Sequence, residues 1–272
     1  MTEIQEKCLG ILKEFDRVCK KAGLQYYLYV GTLLGAVRHQ GFIPWDDDVD
    51  VAMMRDQYDR LRDACEKYLD KDRFVLQTID TDPYATIGWA KLHDKHTAFI
   101  DGGRRKGAME GIFIDIFPLD NVPDNQFVFK TRGKLINKIN FIYQFRFMEH
   151  KKDASWKMKL FQSMVSLIPP FNEMTFKKKY EAYLQKYNQK KTKRVVYYSN
   201  ADYFNRVTPR SCYDTVVYLP FEGEKFPAPG DWKTALTCRY GTDYMTLPPE
   251  NERVPRHGAK IVDTEHSWKD YE

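Results

Sequence analysis

Apolar positions near the start of the chain recur at Ile4, Cys8, Ile11, Leu12, Phe15, Val18 and Cys19. Spacings of three and four put them on one face of a helix over residues 3–23, closed by Gly23 and packed on a core. The period then changes. Gln25 to Val30 is an aromatic and β-branched run, which predicts a short buried strand. Gly31 and Thr32 break it, Thr32 is a good N-cap, and a helix is predicted to about His39. Gly41 and Pro44 turn the chain into a second strand, Asp46 to Met53. There Asp46, Asp48 and Asp50 share one face, while Val49 and Val51 face the other. A further amphipathic helix is expected from Met54 to Leu69, solvated through Arg55, Asp56, Arg60 and Asp63.

Strands follow at Phe74–Thr78, Thr86–Leu92 and Thr97–Ile100, with a turn at residues 80–83, and then the strongly apolar run Gly111–Leu119. From about 125 to 191 the periodicity is helical, broken near Pro169 and Pro170. Strands return at Val195–Tyr198 and Thr215–Leu219. Asp231 caps a last helix to about Tyr240, closed by Gly241. The expected organisation is a catalytic core over 1–124, a basic-aromatic helical subdomain over 125–192, and a segment over 193–272 that completes the catalytic domain.

Two stretches carry chemistry. Three aspartates on one strand face repel each other, and a hard divalent cation removes that cost, because carboxylate oxygens are what Mg²⁺ binds. The alternative, a solvated acidic loop, fits poorly with the flanking Val49, Val51, Ala52 and Met53. An EF-hand calcium loop is excluded, since its twelve-residue ligand spacing and closing Glu are missing. Asp115 stands alone between Ile114 and Ile116, where a lone carboxylate is expensive unless paired or metal-bound. Asp120, just past Pro118, reads as a turn cap. The Gly102-Gly103-Arg104-Arg105-Lys106 loop suits a phosphate cradle or, equally, a flexible basic turn.

A Gly-Thr turn, a helix and a strand carrying alternate aspartates resemble the nucleotidyltransferase fold. That likeness implies an α+β (α/β) architecture, a mixed sheet flanked by helices, here with a helical insertion. The fuller string Gly31-Thr-Leu-Leu-Gly-Ala-Val-Arg-His39, with Phe42-Ile-Pro-Trp-Asp-Asp-Asp-Val-Asp50 and Ile114-Asp-Ile-Phe-Pro-Leu-Asp120, resembles the LicD family of phosphocholine transferases. Eukaryotic relatives of that family include the fukutin-related proteins. Phe221-Glu-Gly223 and Tyr240-Gly-Thr-Asp-Tyr244 extend the likeness to the C-terminal end, with one residue inserted in the latter; the middle helices carry least of it.

The resemblance implies transfer of a phospho-alcohol from a CDP-activated donor such as CDP-choline to a sugar hydroxyl of a cell-surface glycan, with release of CMP. The glycan would be a lipopolysaccharide, teichoic acid or capsule, and it could be lipid-linked. In that reading Asp48, Asp50 and Asp115, with Asp46 beside them, hold one or two Mg²⁺ (Mn²⁺ as substitute), and Asp115 accepts the acceptor's proton. Gly31, Thr32 and the helix N-terminus face the donor phosphates, with Arg38, Lys91 and Arg104 as further cations. Trp45, Trp89 and Tyr29 are candidates for a trimethylammonium box, with core packing as the alternative. Glu222 would orient donor or acceptor, or simply shape a turn. His257 would hold a phosphate, or be a plain surface histidine. Two rivals stay open: a nucleotidyltransferase that moves a nucleoside monophosphate and releases pyrophosphate, and a non-catalytic glycan- or nucleotide-binding module.

Composition narrows this little further. The chain has 272 residues, 43% apolar and 15% aromatic, enough for a sizeable core. No apolar run reaches the ~20 residues needed to span a membrane, and no signal segment opens the chain, so a cytoplasmic location is expected. Five cysteines without a Cys-x-x-Cys pair suggest neither a disulfide framework nor a zinc site. The net charge of +5 is mild and carries no nucleic-acid motif. Between Lys130 and Leu160, nine Lys/Arg face two Asp/Glu among aromatics. That pattern fits either a peripheral contact with an anionic membrane, through Lys151, Lys152, Lys157 and Lys159 among others, or a packed helix pair with solvated lysines.

Overall fold

A nine-residue strand, β6 (Phe113–Asn121), runs through the middle of the sheet and is buried along nearly its whole length. Its Ile114, Ile116 and Leu119 suit a strand covered on both faces. The computed structural model of the chain describes residues 1–85, 87–101, 107–147, 172–198, 207–255 and 258–271. On one side β6 pairs in parallel with β2 (Asp50–Met54), which pairs with β1 (Tyr27–Leu28). On the other side it pairs with β4 (Ala90–Asp94), followed by β3 (Phe74–Gln77). Among the described residues, all pairings except β2–β6 are antiparallel. The far end of β6 takes β7 (Arg194–Val196), which pairs with β8 (Thr208–Pro209). Two smaller pairs complete the strands: β5 (Ala98–Asp101) with β11 (Ala259–Asp263), and the hairpin β9 (Val216–Phe221) with β10 (Glu224–Pro229). The mixed sheet with helices against it is an α+β fold.

The first helix, α1 (Glu3–Ala22), has a full capping box between Thr2 and Gln5, and it ends at Gly23 in the left-handed conformation at φ 62°. It packs Cys8, Ile11, Leu12, Phe15 and Val18 into the main core. A second cluster joins α5 (Gln126–Phe147) to α6 (Glu173–Leu184) through Phe129, Ile136, Tyr180 and Leu184, and rests on Val122, Val196 and Tyr198. The final helix, α7 (Trp232–Tyr240), is capped by Asp231 accepting from the Thr234 N–H, and Gly241 closes it. All five cysteines are free, and four are buried.

Several sequence expectations are corrected by packing. The helix after β1, α2 (Val30–Arg38), starts three residues earlier than expected; its N-cap is Tyr29, and Thr32 lies inside it. Asp46 to Val49 are not strand; β2 begins only at Asp50. The expected helix over 54–69 divides into α3 (Arg55–Tyr58) and α4 (Leu61–Tyr68). Arg55 is not solvated but 6% exposed, and its Nε and Nη2 donate to both carboxylate oxygens of Asp120 at 2.7 and 2.8 Å. Asp120, 1% exposed, is therefore an ion-pair partner and not a turn cap. β4 starts at Ala90, later than Thr86, and β10 and β11 had no clear alternating signal.

One close approach fixes how α2 sits. A Cβ at Gly35 would lie 2.5 Å from the Gly41 carbonyl oxygen, so the helix backbone touches the loop that carries Phe42 and Ile43. Gly35→Ala is expected to cost about 1–3 kcal/mol through overpacking, a fall of roughly 2–10 °C in melting temperature. Thermal denaturation followed by circular dichroism checks this. An unchanged melting temperature would show that the loop moves aside freely.

Candidate active site

Parallel pairing places Asp50 directly beside Asp115, the two in register on β2 and β6. Neighbouring strands lie about 4.8 Å apart, so paired side chains on one face are adjacent. Backbone bonds lock this arrangement: the Asp115 N–H donates to the Val49 carbonyl (2.9 Å), and the Tyr29 N–H donates to the Asp50 carbonyl (3.0 Å). The Asp50 N–H donates to Thr32 Oγ1 at 2.8 Å, which ties α2 to the first residue of β2. Thr32 thus positions an aspartate instead of capping a helix.

Asp48 precedes the strand and completes the group: one carboxylate oxygen from each of Asp48, Asp50 and Asp115 lies within 4.8 Å of the others. Asp50 and Asp115 are buried, and Asp48 is half-buried. Asp46, Asp47 and Asp48 form a second such group, so Asp48 is common to both and Asp46 stands to one side. The Asp46 carboxylate rests on the first turn of α2, where a Cβ at Gly31 would come 2.7 Å from its Oδ2. A side chain at position 31 would push that carboxylate aside. Gln5 on α1 holds the aspartate loop through its side-chain amide, which donates to the Asp46 carbonyl at 2.8 Å.

Burial first, then the charges of Asp48, Asp115 and Asp46, pushes the Asp50 carboxyl well above the ordinary carboxylate range. Arg239 on α7 opposes that shift. Asp115 is held differently: Trp89 Nε1 donates to its Oδ1 at 2.8 Å, and Lys91 Nζ lies 3.3 Å from the same oxygen. A carboxylate with two donors on one oxygen keeps the other for a ligand. Buried, mutually repelling carboxylates with hard oxygen donors fit a divalent cation of the Mg²⁺ type.

The expected site residues separate into groups. Trp89, Phe117, Tyr197 and Tyr29 form an aromatic cluster beside Asp115, with Phe117 4.2 Å from Tyr197 and 5.9 Å from both Trp89 and Tyr29 (ring centroids). Trp45 is not among them; its partners are His39 and Arg253. Arg38 donates through Nη1 to the carbonyls of Tyr244 and Thr246, so it ties the C-terminal segment to α2. Glu222, at φ 48° in the β9–β10 turn, accepts from the Phe42 N–H at 2.9 Å and so braces the loop after α2. Arg104 and His257 lie outside the described residues, as do Lys151, Lys152, Lys157 and Lys159.

Sequence reasoning missed Arg239. Its Nε is buried without a hydrogen-bond partner, and its charge acts on Asp50 from a helix nearly two hundred residues downstream. Nothing in Cys238-Arg239-Tyr240 marks it. Trp89 offers a clean test of the second set of contacts. Trp89→Phe keeps a ring but removes the donor to Asp115, and an outer-contact loss of this kind is expected to cost about 10–100-fold in activity. The melting temperature should change little by comparison. Steady-state turnover beside a thermal melt checks it; unaltered turnover would make the Trp89–Asp115 bond purely structural.

A family model described as LicD/FKTN/FKRP, nucleotidyltransferase domain, matches residues 23–178, more than half of the chain. Lipopolysaccharide cholinephosphotransferase LicD of Haemophilus influenzae is 32% identical over 262 residues, which is 94% of this chain and 96% of that protein. Human ribitol 5-phosphate transferase FKRP is 31% identical over 110 residues, 38% of this chain and 22% of FKRP. An uncharacterised protein of Rickettsia prowazekii is 46% identical over 46 residues, 17% of each chain.

Proposed function

The chain belongs to the LicD family, and from that premise we propose that it is a phospho-alcohol transferase acting on a glycan hydroxyl. Phosphocholine from CDP-choline is the favoured group and donor, and CMP the product. The observation that carries this reading is the convergence of Asp48, Asp50 and Asp115 within 4.8 Å, two of them buried. A relative aligned over nearly its full length is named for cholinephosphate transfer to lipopolysaccharide, and a second for ribitol phosphate transfer. Both move a phosphate carrying an alcohol.

These three carboxylates would hold Mg²⁺ or Mn²⁺, one ion or two, which would neutralise the donor diphosphate and acidify the acceptor hydroxyl. The chain's own groups do the rest. Trp89 and Lys91 fix the orientation of the Asp115 carboxylate through Oδ1, and Asp115 is the proposed acceptor of the hydroxyl proton. The first turn of α2, with Gly31 and Thr32, would offer its backbone N–H groups and dipole to the donor phosphates beside the Asp46 carboxylate that already rests there. Lys91 adds a cation for the donor phosphates. The rings of Trp89 and Tyr29, beside Asp115, are the candidates for a quaternary ammonium group.

The test is CMP release from CDP-choline with Mg²⁺, with and without a cell-envelope glycan extract, and with a chelator as control. Glycan-dependent release that the chelator abolishes supports the proposal. Release from another CDP-alcohol alone keeps the mechanism and changes the head group. Silence with every CDP donor, but pyrophosphate from CTP or ATP, overturns it in favour of nucleotidyl transfer.

A further inference from the structure

Asp46 to Val49 lie in neither a helix nor a strand, yet Asp48, in the middle of that stretch, belongs to both acidic groups. Hydrogen bonds hold the stretch at both ends. At its C-terminal end the Asp50 N–H donates to Thr32 Oγ1 at 2.8 Å, and the Val49 carbonyl accepts from the Asp115 N–H at 2.9 Å. At its N-terminal end, two residues before Asp48, Gln5 Nε2 donates to the Asp46 carbonyl at 2.8 Å and to the Ile43 carbonyl at 3.4 Å. Gln5 is 3% exposed, and its Oε1 accepts from the Thr2 N–H at 2.9 Å. One turn further along α1, Cys8 Sγ lies 3.6 Å from the Phe113 carbonyl oxygen. The helix that holds the loop therefore also rests on β6, the strand that carries Asp115.

We propose that Gln5 is a positioning residue that sets the affinity of the aspartate cluster for a divalent cation. The inference rests on the reading of Asp48, Asp50 and Asp115 as a cation site. Without a cation, the like charges of these aspartates push the loop away from β2 and β6. The Gln5 bond opposes that movement and keeps Asp48 where a ligand oxygen is needed, so less ordering remains to be done when the cation binds. The residue type supports this role. A capping box takes Glu or Gln equally, since only an acceptor for the N-cap N–H is required. Only the amide also has a donor for the Asp46 carbonyl, and it adds no further negative charge beside the cluster.

The experiment titrates the full chain with Mn²⁺, without donor or acceptor, and follows the electron paramagnetic resonance signal of the free ion. Gln5→Met removes the donor at similar volume, and Gln5→Asn keeps an amide that is one methylene too short to reach Asp46. Both should weaken Mn²⁺ binding roughly 10–100-fold, the usual effect of losing a group that orients a ligand. Thr2→Ala is the control. It removes the hydroxyl that accepts the Gln5 N–H and lowers the melting temperature, but it leaves the Gln5 bonds to the loop and should leave Mn²⁺ affinity unchanged. Parent-like affinity in both Gln5 variants overturns the proposal while the cation site stands. Equal weakening by Thr2→Ala also overturns it, since the effect would then come from the stability of the helix end. Absence of Mn²⁺ binding by the parent overturns the cation site itself, and this inference with it.

Discussion

Asp50→Asn is expected to give a chain that is nearly inactive and yet, in the presence of a chelator, more stable than its parent. Asp50 sits 8% exposed beside Asp115, with Asp48 and Asp46 adding like charge. The parent therefore folds against a repulsion that a bound cation would remove and that a neutral amide removes permanently. The sign follows from proton binding. An acid whose folded value is raised binds its proton more tightly in the folded state, so its contribution to stability is present at low pH. That contribution is lost as pH rises through the raised value. Without divalent cation, the parent's melting temperature should fall between acid and neutral pH, and the substituted chain's should fall less. Loss of one carboxylate from the group should remove several kcal/mol of transition-state stabilisation; about 4 kcal/mol corresponds to roughly 10³-fold in CMP release. Melting curves over a pH series with chelator, beside turnover with Mg²⁺, check both halves. A substituted chain that melts lower than the parent in chelator would remove the argument that this cluster is electrostatically frustrated without a cation.

The second large effect is at the other end of the same strands. Arg55→Met alone should cost about 3–5 kcal/mol, because it leaves Asp120 buried without its bidentate partner. In a chain of this size that is a fall of roughly 6–20 °C in melting temperature. Asn188 also donates to Asp120, and the Asn121 N–H donates to Asn188 Oδ1, so the pair anchors the segment after α6 to the end of β6. The double change Arg55→Met with Asp120→Leu should recover much of the loss, since a buried ion pair gains little over an apolar pair of similar volume. A double-mutant cycle from denaturant titrations measures the coupling. Equal destabilisation by the single and double changes would locate the cost in the lost packing of Arg55 and not in the unpaired charge.

Both predictions depend on where the sequence was readable and where it was not. The amphipathic spacing of α1, the Gly23 cap, the Asp231 cap and the Gly241 stop were legible because helix periodicity and caps are set within a few residues. Asp48, Asp50 and Asp115 stood out because carboxylates among β-branched neighbours are costly whatever the fold. The pairing that puts Asp50 against Asp115 was not legible, since parallel register is chosen by packing between strands some sixty residues apart. Thr32 illustrates the limit: by local preference it caps a helix, but β2 brings the Asp50 N–H to its hydroxyl, and the start of the helix moves back to Tyr29. Arg55 and Asp120 read as surface groups because each is polar in its own window. Only tertiary contact makes them a buried pair. Arg239, Glu222 and Arg38 follow the same rule, since what each side chain reaches is a distant backbone or charge that no window of sequence contains. The sequence by itself determined which residue types pay for burial and where α1 and α7 stop. The tertiary structure decided which of those costs are met by a neighbouring side chain, as at Asp120 with Arg55 and at Asp115 with Trp89 and Lys91, and it brought Asp48, Asp50 and Asp115 together.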